Sequence, residues 1–235
     1  MKVTNAEEVI RKVKAKASKE KSLVLRRFFK CGVGEYGEGD VFLGVTVPEL
    51  RRISKEAGLL PLSQIRILMQ NQIHEIRLIG LYFLVALYNA SETKEKVIEF
   101  YLKEKKAVNN WDLVDSSASY ILGDFLLTHK KEQKVLSKLI ESKNLWDRRI
   151  GILATFSFIK KGNLDLPISL YQNLLSDKEP LIQKAIGWML REVGKKSEKT
   201  LTDFLENNIS SISRTSLRYA IERLSNKQKD YFLKK

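Results

Sequence analysis

The 235-residue sequence has one cysteine, two histidines and four prolines. A single cysteine excludes an internal disulfide framework and a multi-cysteine zinc site. His74 and His129 are the only histidines that could add nitrogen ligands, so the sequence argues against a protein-only zinc centre. We therefore expect no metal and no cofactor. The scarcity of proline, and of glycine at twelve residues, favours a mostly helical chain.

Long hydrophobic runs are also missing. The longest, Leu78 to Tyr88, has eleven residues, whereas a membrane-spanning helix needs about twenty. It is typical of a buried helix. The first thirty residues contain lysines throughout and no apolar signal core, which indicates no secretion signal. From these two absences we expect a soluble, cytoplasmic protein.

Basic residues outnumber acidic ones by 42 to 28, which gives a net charge of +14. The excess is concentrated at the ends: residues 1–30 hold ten Lys or Arg and three Asp or Glu, and residues 180–235 carry a second excess. Such a positive field attracts phosphate polymers or anionic membranes. A surface that is simply rich in lysine explains the charge equally well, so the partner must be inferred from particular residues.

Small residues recur at a fixed interval along the chain. Gly80, Ser116, Gly151 and Gly187 are 36, 35 and 36 residues apart, and each lies in an apolar, helix-like segment. Amphipathic stretches lie between them. Two helices in roughly 35–45 residues are the signature of HEAT-type repeats. We predict an all-α protein of HEAT-like helical repeats that form a curved α-solenoid with a concave groove, as a single domain over residues 1–235.

One segment, Cys31 to Asp40, breaks the helical pattern. Its glycines read G-x-G-x-x-G at Gly32, Gly34 and Gly37. A phosphate-binding loop is rejected because a strand should precede it and a helix-like run does so instead. Acidic residues in the segment would also repel a phosphate. We predict a loop or a small hairpin, followed by a new helix near Pro48.

The most unusual group of residues is Trp111-Asp112-Leu113-Val114-Asp115. Trp111 and Asp115 are four residues apart and share one face of a helix. The next two repeats place Arg148, Arg149 and Trp188 in equivalent segments. Taken singly, a tryptophan is usually a core residue and an aspartate near an arginine is usually an ion pair. In register across three repeats, the residues instead predict a row of functional groups along the groove.

These segments resemble the AlkD-like family of HEAT-repeat DNA alkylation-repair glycosylases over most of the chain. The matching segments are Phe42-Leu43-Gly44-Val45, Val47-Pro48-Glu49-Leu50-Arg51, the Trp111 to Asp115 group, Leu122-Gly123-Asp124, Trp146-Asp147-Arg148-Arg149 and Ile182 to Glu192. The resemblance implies a catalytic cleft formed by Trp111, Asp115, Arg149 and Trp188. Arg149 is preferred to Arg148 because it follows Trp146 by three residues. Family members can carry a tyrosine on an early helix, where this chain has Phe28 and Phe29.

The implied activity is monofunctional, metal-free release of positively charged purines such as 3-methyladenine and 7-methylguanine. Asp115 would stabilise the cationic sugar, the two indoles would pack on sugar and lesion, and Arg149 would hold a phosphate. The implied partner is double-stranded DNA with alkylated bases, bound by a monomer. We expect phosphate contacts from basic residues of the groove: Arg51, Arg52, Arg148, Lys184, Arg191, Arg214 and Arg218.

Two other hypotheses remain at this point. Relatives with an inserted hairpin are thought to bind branched DNA without excising bases, and the segment Gly32 to Asp40 favours such a binder. Solenoid architecture alone is equally compatible with an adaptor for protein partners.

Overall fold

A computed structural model of the chain describes residues 5–235. Within that range the regular structure is helical, with no β-strand and one isolated bridge between Val41 and Ile73. The predicted all-α class is confirmed. The predicted domain also includes residues 1–4, which lie outside the described range.

The chain divides into two compact units, the first ending at Ser117 and the second spanning Ala118–Lys235. The first unit contains α1 (Ala6–Lys14), α2 (Lys19–Phe28), α3 (Val47–Ala57), α4 (Leu62–Met69), α5 (His74–Ala90), α6 (Lys94–Glu104) and α7 (Trp111–Asp115). The second contains α8 (Asp124–Thr128), α9 (Lys134–Ile140), α10 (Leu145–Ala154), α11 (Phe156–Lys160), α12 (Asp165–Gln172), α13 (Pro180–Lys196), α14 (Glu198–Asn208), α15 (Arg214–Ala220) and α16 (Asn226–Lys234).

Helix starts follow local sequence chemistry. The Asn110 side chain accepts the Trp111 N–H before α7, and that of Asn144 accepts two N–H groups at the start of α10. Such caps satisfy backbone donors that lack an intrahelical partner. Pro48 and Pro180 lie in the first turns of α3 and α13, where a missing N–H costs nothing. The predicted helix start near Pro48 is confirmed.

Three of the four periodic small residues lie where a second helix approaches closely. A Cβ atom added at Gly80 of α5 would lie 3.0 Å from the Leu68 Cβ of α4, and one at Gly151 of α10 would lie 2.9 Å from the Ile140 Cγ2 of α9. At Gly187 of α13 it would lie 2.6 Å from the Ser216 carbonyl of α15. The periodic glycines therefore mark helix-packing contacts within each unit.

The helical run after Trp111 is interrupted. α7 ends at Asp115, and a π-helical turn occupies Ser119–Gly123 before α8 begins. The Ser117 hydroxyl donates to the Leu113 carbonyl at 2.7 Å, and the Ser157 hydroxyl donates to the Ser119 carbonyl at 2.7 Å. These side chains satisfy carbonyls that a regular helix would use, and so they stabilise the distortion. The fourth periodic residue, Ser116, consequently caps a short helix.

The glycine-rich segment forms a chain of turns, so the loop predicted there is confirmed and the hairpin is not. Gly34 and Gly39 have φ angles of 76° and 83°, a region that glycine enters without steric cost. The side chains of Glu35 and Glu38 accept the N–H groups of Gly32 and Gly34, both at 2.9 Å. The acidic residues thus serve the turns themselves.

Candidate functional site

The candidate site in the first unit is built on α7. This helix has only five residues, so its first residue, Trp111, and its last, Asp115, lie about one helical turn apart. Both side chains are half-buried. Trp111 is therefore neither sealed in the core nor fully solvated, and the predicted helix that joins it to Asp115 is present.

Two phenylalanines from the end of α2 hold the indole of Trp111. The Phe29 ring is stacked on it, with centroids 5.0 Å apart and an interplanar angle of 16°. The Phe28 ring meets it edge-on at 5.7 Å and 74°. Phe29 is buried, whereas Phe28 is 61% exposed. Aromatic pairs in these geometries are each worth about 0.5–1.5 kcal/mol beyond their buried area, so the orientation of Trp111 is defined from one side.

A buried polar cluster lies beside this aromatic group. The Nε2 atom of His74 lies 2.8 Å from the Oδ2 atom of Asp112, and its Nδ1 atom lies 3.0 Å from the Oδ2 atom of Asp40. Ionised carboxylates only accept hydrogen bonds. Both ring nitrogens must therefore donate, which requires the imidazolium form of His74.

The electrostatics agree with that protonation state. Burial opposes the charge of His74, but its hydrogen bonds to Asp112 and Asp40 outweigh burial and raise its pKa above the ordinary value of 6.5. Burial likewise opposes the charge of Asp40. The hydrogen bond from His74 and the charge of Arg77 prevail, and they hold the pKa of Asp40 below 3.8.

The same cluster joins three parts of the first unit. Arg77 of α5 donates to the Oδ1 atom of Asp40, and the Asn110 side chain donates to its Oδ2 atom at 2.9 Å. Since Asn110 also caps α7, one carboxylate at the end of the glycine-rich loop is linked directly to the start of that helix. His74 makes a second link, through Asp112.

Glu75 organises the segment before α3. Its buried carboxylate accepts the backbone N–H groups of Leu43, Gly44 and Val45 at 2.8–3.2 Å. Gly44 has a φ of 82°, and a Cβ added there would lie 2.2 Å from the Ser18 carbonyl. The segment Phe42 to Val45, noted in the sequence, therefore matters for backbone geometry.

An apolar cavity of about 360 Å³ lies next to this cluster. Its walls include Val24, Leu25, Phe29, Phe42, Val45 and Leu50, and His74, Glu75 and Asp112 also line it. His74 and Glu75 are themselves 1% and 2% exposed, and this burial strengthens the interactions among their polar atoms.

The other two predicted catalytic residues belong to the second unit. Arg149 of α10 is 5% exposed, and its Nη1 atom donates to the Leu181 carbonyl at 2.8 Å. Trp188 of α13 is half-buried. Its ring centroid lies 6.0 Å from that of Phe156, and its Nε1 atom donates to Glu192 at 3.3 Å. Each is thus fixed within its own unit.

The predicted DNA-binding cations differ in how firmly they are engaged. Arg148 donates to the Asp177 carboxylate at 2.7 Å and to the carbonyls of Ser142 and Lys143. Arg191 is paired with Glu222, and Arg52 with Glu49 and Glu56. The remaining four are exposed: Arg51, Lys184, Arg214 and Arg218. The Arg51 guanidinium lies 5.5 Å from the centroid of the Tyr82 ring, and Arg214 donates to the Leu233 carbonyl.

Within residues 5–235, no cluster of three or more His, Cys, Asp or Glu side chains is arranged to hold a metal ion. No helix in the same range is long and apolar enough to cross a membrane.

Sequence reasoning missed the residues that support α7. Phe29, His74 and Asp40 were not among the predicted site residues. The available signal was their type: His74 is one of two histidines, and a buried histidine between carboxylates is a recognisable polar cluster. Their partners lie 34 and 38 residues away in sequence, so only the tertiary structure identifies them.

The structure thus defines an all-α helical-repeat protein with an aromatic and carboxylate group on a short, tightly supported helix. The sequence profile of the family described as "DNA alkylation repair enzyme" matches residues 9–224. The chain belongs to this family. No curated protein matches it at a significant level.

Solved structures share the fold at low sequence identity. A structure described as "Predicted DNA alkylation repair enzyme from Enterococcus faecalis" is 20% identical, with a TM-score of 0.72, over 90% of this chain and 98% of that one. AlkD2 from Streptococcus mutans is 16% identical, with a TM-score of 0.58, over 94% and 97%. The smu.31 protein from Streptococcus mutans UA159 is 18% identical, with a TM-score of 0.56, over 94% and 99%.

Proposed function

We propose that the chain is a monofunctional DNA glycosylase that hydrolyses the N-glycosidic bond of positively charged N-alkylated purines such as 3-methyladenine and 7-methylguanine. The observation that carries this proposal is the placement of Trp111 and Asp115 on one short, rigidly supported helix in a chain of the DNA alkylation repair family. The enzyme acts as a monomer in the cytoplasm on alkylated double-stranded DNA, and so associates with the nucleoid when bound.

The chemistry requires little general-acid help. A cationic alkylpurine is already a good leaving group, and positive charge develops on the deoxyribose as the bond breaks. A fixed carboxylate next to the sugar stabilises that charge, and it can orient or deprotonate the attacking water. Asp115 is the candidate because it is half-buried and anchored on α7.

The indoles bind the cationic part of the substrate. The face of a tryptophan ring attracts a cation by about 0.5–2 kcal/mol. Trp111 is oriented by Phe29 and Phe28, and Trp188 is held beside Phe156. Both remain half-buried, so each retains surface for a ligand. We assign them to the sugar and the lesion.

Arg149 supplies a fixed positive charge for a DNA phosphate. Its 5% exposure and its hydrogen bond to the Leu181 carbonyl make it a preorganised charge more than a mobile clamp. The exposed cations Arg51, Lys184, Arg214 and Arg218 are assigned to the phosphate backbone, whose contacts make binding weaken steeply with salt. The other three predicted cations are already paired with carboxylates, which they would have to share with a phosphate in order to bind DNA. They are Arg52, Arg148 and Arg191.

The test is release of 3-methyladenine or 7-methylguanine from methylated duplex DNA. Wild-type protein should release base, and Asp115→Asn should lose release while it still binds DNA. Asp230→Asn, the same change of side chain at an exposed residue of α16, is the matched control and should leave release unchanged. No release by the wild type, under conditions where an established alkylpurine glycosylase works, would refute the proposal.

A second candidate is a non-catalytic binder of branched or distorted DNA. It is favoured by the glycine-rich loop, where Val33 is 95% exposed at a turn. A preference for a four-way junction over duplex that is unaffected by Asp115→Asn but lost when residues 32–39 are shortened would favour it over the glycosylase.

A further inference from the structure

The position of His74 gives it control over α7. Its two ring nitrogens contact carboxylates from two other segments, Asp40 at the end of the glycine-rich loop and Asp112 in α7, at 3.0 and 2.8 Å. The residue is 1% exposed. Rings from Phe42 and Phe29 lie 4.4 and 5.0 Å from its own ring centroid. The imidazole is therefore fixed in place and cannot swing out to water.

Asp112 depends on that contact. Its Oδ1 atom is buried and has no hydrogen-bond partner among residues 5–235, while its Oδ2 atom accepts from His74. A buried carboxylate is costly unless its charge is compensated. The imidazolium of His74 is the charge that compensates it.

Asp112 is the second residue of a five-residue helix. Trp111 precedes it directly, and Asp115 follows within one turn. A shift of α7 at Asp112 would therefore move both residues assigned to the reaction. The hydrogen bonds of the His74 ring go to Asp40 and Asp112, so His74 acts on Trp111 and Asp115 through Asp112.

We propose that His74 is a positioning residue, whose imidazolium holds Asp112 and thereby keeps Trp111 and Asp115 in the orientation required for base release. Loss of the ring proton removes one of its two donors, since a neutral imidazole donates through one nitrogen only. One carboxylate then loses its partner and α7 loosens. The assignment of a reaction to α7 rests on the proposed function. The link from His74 to α7 does not.

Other charged or titratable groups surround the cluster. Arg77, which lies in α5 with His74, donates a hydrogen bond to Asp40. Asp40 therefore keeps a cationic partner when His74 is neutral. Asp112 has no second cationic partner among residues 5–235. The neutral state therefore acts mainly on α7. The further groups near the cluster are Glu75 of α5, occupied by three backbone N–H groups, Lys21 of α2 at the cavity wall, and Cys31 and Tyr36 of the glycine-rich segment.

The fluorescence of Trp111 tests the link without reference to activity. In a Trp146→Phe, Trp188→Phe background, Trp111 is the single tryptophan of the chain. Its emission should change with pH, with a midpoint above the ordinary histidine value of 6.5. His74→Gln should abolish the transition. Asp112→Asn should move the midpoint down, since it removes the charge that favours the imidazolium. His129→Gln, at the other histidine, should leave the transition unchanged.

Activity supplies the second measurement, in protein that retains all three tryptophans. Wild-type kcat for base release should fall above the same midpoint. His74→Gln should lower kcat by about ten- to a hundredfold, the typical cost of a small misplacement of catalytic groups. Its KM for DNA should be unchanged, and the alkaline decline should disappear. A merely structural role would lower the amount of folded protein and leave the shape of the pH profile unaltered.

The outcomes separate the two proposals. An emission transition that persists in His74→Gln, or one that coincides with loss of the helical circular dichroism signal, overturns the positioning role. If wild-type protein releases no base, the proposed function fails, and the emission titration still decides whether His74 controls α7.

Discussion

The ring of Phe29 is stacked on the indole of Trp111, with centroids 5.0 Å apart and planes 16° from parallel. The centroid of the Phe29 ring also lies 4.9 Å from that of Phe42 and 5.0 Å from that of His74. One buried phenylalanine therefore connects the aromatic part of the candidate site with its charged support. Since α2 itself has no buried residue, Phe29, directly after its last residue, supplies the buried contact at that end.

Replacement of Phe29 should uncouple Trp111 from its support. Phe29→Leu keeps an apolar side chain but removes the stacked ring, and we expect a loss of about 1–2 kcal/mol in the free energy of unfolding. In the Trp146→Phe, Trp188→Phe background, the emission of Trp111 should shift to longer wavelength as the indole becomes more solvated. Urea titration followed by circular dichroism and by fluorescence measures both effects.

The control is Phe125→Leu. Phe125 is also buried and is stacked on a histidine, His129, at 3.7 Å, but it lies in the second unit. It should destabilise the chain by a similar amount without moving the emission of Trp111. Equal spectral shifts in both variants would contradict the role assigned to Phe29.

Glu75→Gln should be among the most destabilising single-atom changes in the chain. The carboxylate accepts three backbone N–H groups from Leu43, Gly44 and Val45. The three N–H groups all reach the Oε1 atom, and that of Leu43 also reaches Oε2. An amide with its oxygen at the Oε1 position accepts them without a negative charge and turns its NH2 group toward the Leu43 N–H. We expect a loss of about 2–4 kcal/mol, because hydrogen bonds to a charged group are strong and the backbone donors remain buried. Chemical denaturation measures the loss.

Glu56→Gln provides the comparison for that loss. Glu56 is exposed and paired with Arg52, and surface pairs of this kind contribute about 0–1 kcal/mol. A loss from Glu75→Gln no larger than that from Glu56→Gln would show that the segment before α3 does not depend on the carboxylate.

The sequence was sufficient for the helical class and for several contacts between helices. Gly80, Gly151 and Gly187 were identified by spacing alone, and a Cβ atom added at each would lie 2.6–3.0 Å from an atom of a neighbouring helix. Spacing is sufficient here because a small residue that recurs in helical segments indicates both the length of the repeat and the place where a second helix packs closely. Ser116 followed the same spacing and caps a short helix, because the Ser117 hydroxyl withdraws a carbonyl from the regular pattern.

The support of the candidate site could not be predicted in the same way. His74 and Asp112 are separated by 38 residues, and neither has a neighbour in sequence that signals the contact. Trp111 and Asp115 were predicted together because they share one helix turn, and α7 contains both. Arg148 was grouped with surface cations, yet its guanidinium is committed to Asp177 and two carbonyls. Whether an arginine is engaged depends on tertiary partners that residue type does not specify.

Gly187→Ala should destabilise the second unit more than an ordinary helix substitution. Alanine favours a helix over glycine by about 1 kcal/mol, but the added Cβ would lie 2.6 Å from the Ser216 carbonyl and from the Tyr219 Cβ. Backbone on α15 must then move, and we expect a net loss of about 1–3 kcal/mol. Thermal unfolding measures it.

Gly194→Ala on the same helix is the matched test of that reasoning. Its Cβ would meet the Cδ2 atom of Leu201 at 2.6 Å, and this flexible side-chain end can move aside. The variant should therefore be neutral or slightly stabilising. A loss equal to that of Gly187→Ala would show that contact with the backbone of α15 is not what determines the cost, since helix propensity favours alanine at both positions.

The stability of the first unit should depend on pH through His74. Its pKa is raised in the folded protein above 6.5. Its stabilising contribution is therefore complete below about 6.5 and is lost as pH rises through the higher folded value. His74→Gln should cost about 3 kcal/mol at mildly acidic pH, as expected for a broken buried pair, and progressively less at alkaline pH. Denaturation of both proteins across that range measures the difference.

Asp40 should act in the opposite direction. Its folded pKa lies below 3.8, so its contribution is present above that value and is lost as pH falls through the lower folded one. Asp40→Asn should therefore flatten the acid limb of the stability curve. Because Asp40 also favours the imidazolium of His74, the same change should shift the alkaline limb to lower pH. A pH-independent cost for His74→Gln would contradict the imidazolium assignment.

DNA affinity should distinguish exposed cations from engaged ones. Lys184→Ala should weaken binding to all duplex sequences and lower the magnitude of the salt slope, log Kd against log salt concentration, by about 0.9, the value for one lost phosphate contact. Lys199→Ala makes the same change of charge at a lysine paired with Asp203 on α14 and should leave that slope nearly unchanged. Equal effects of the two variants would indicate a diffuse field instead of a defined contact.

Arg148→Gln should act chiefly on folding. We expect a loss of about 2–3 kcal/mol in the free energy of unfolding, because the change leaves the largely buried Asp177 carboxylate without its arginine partner.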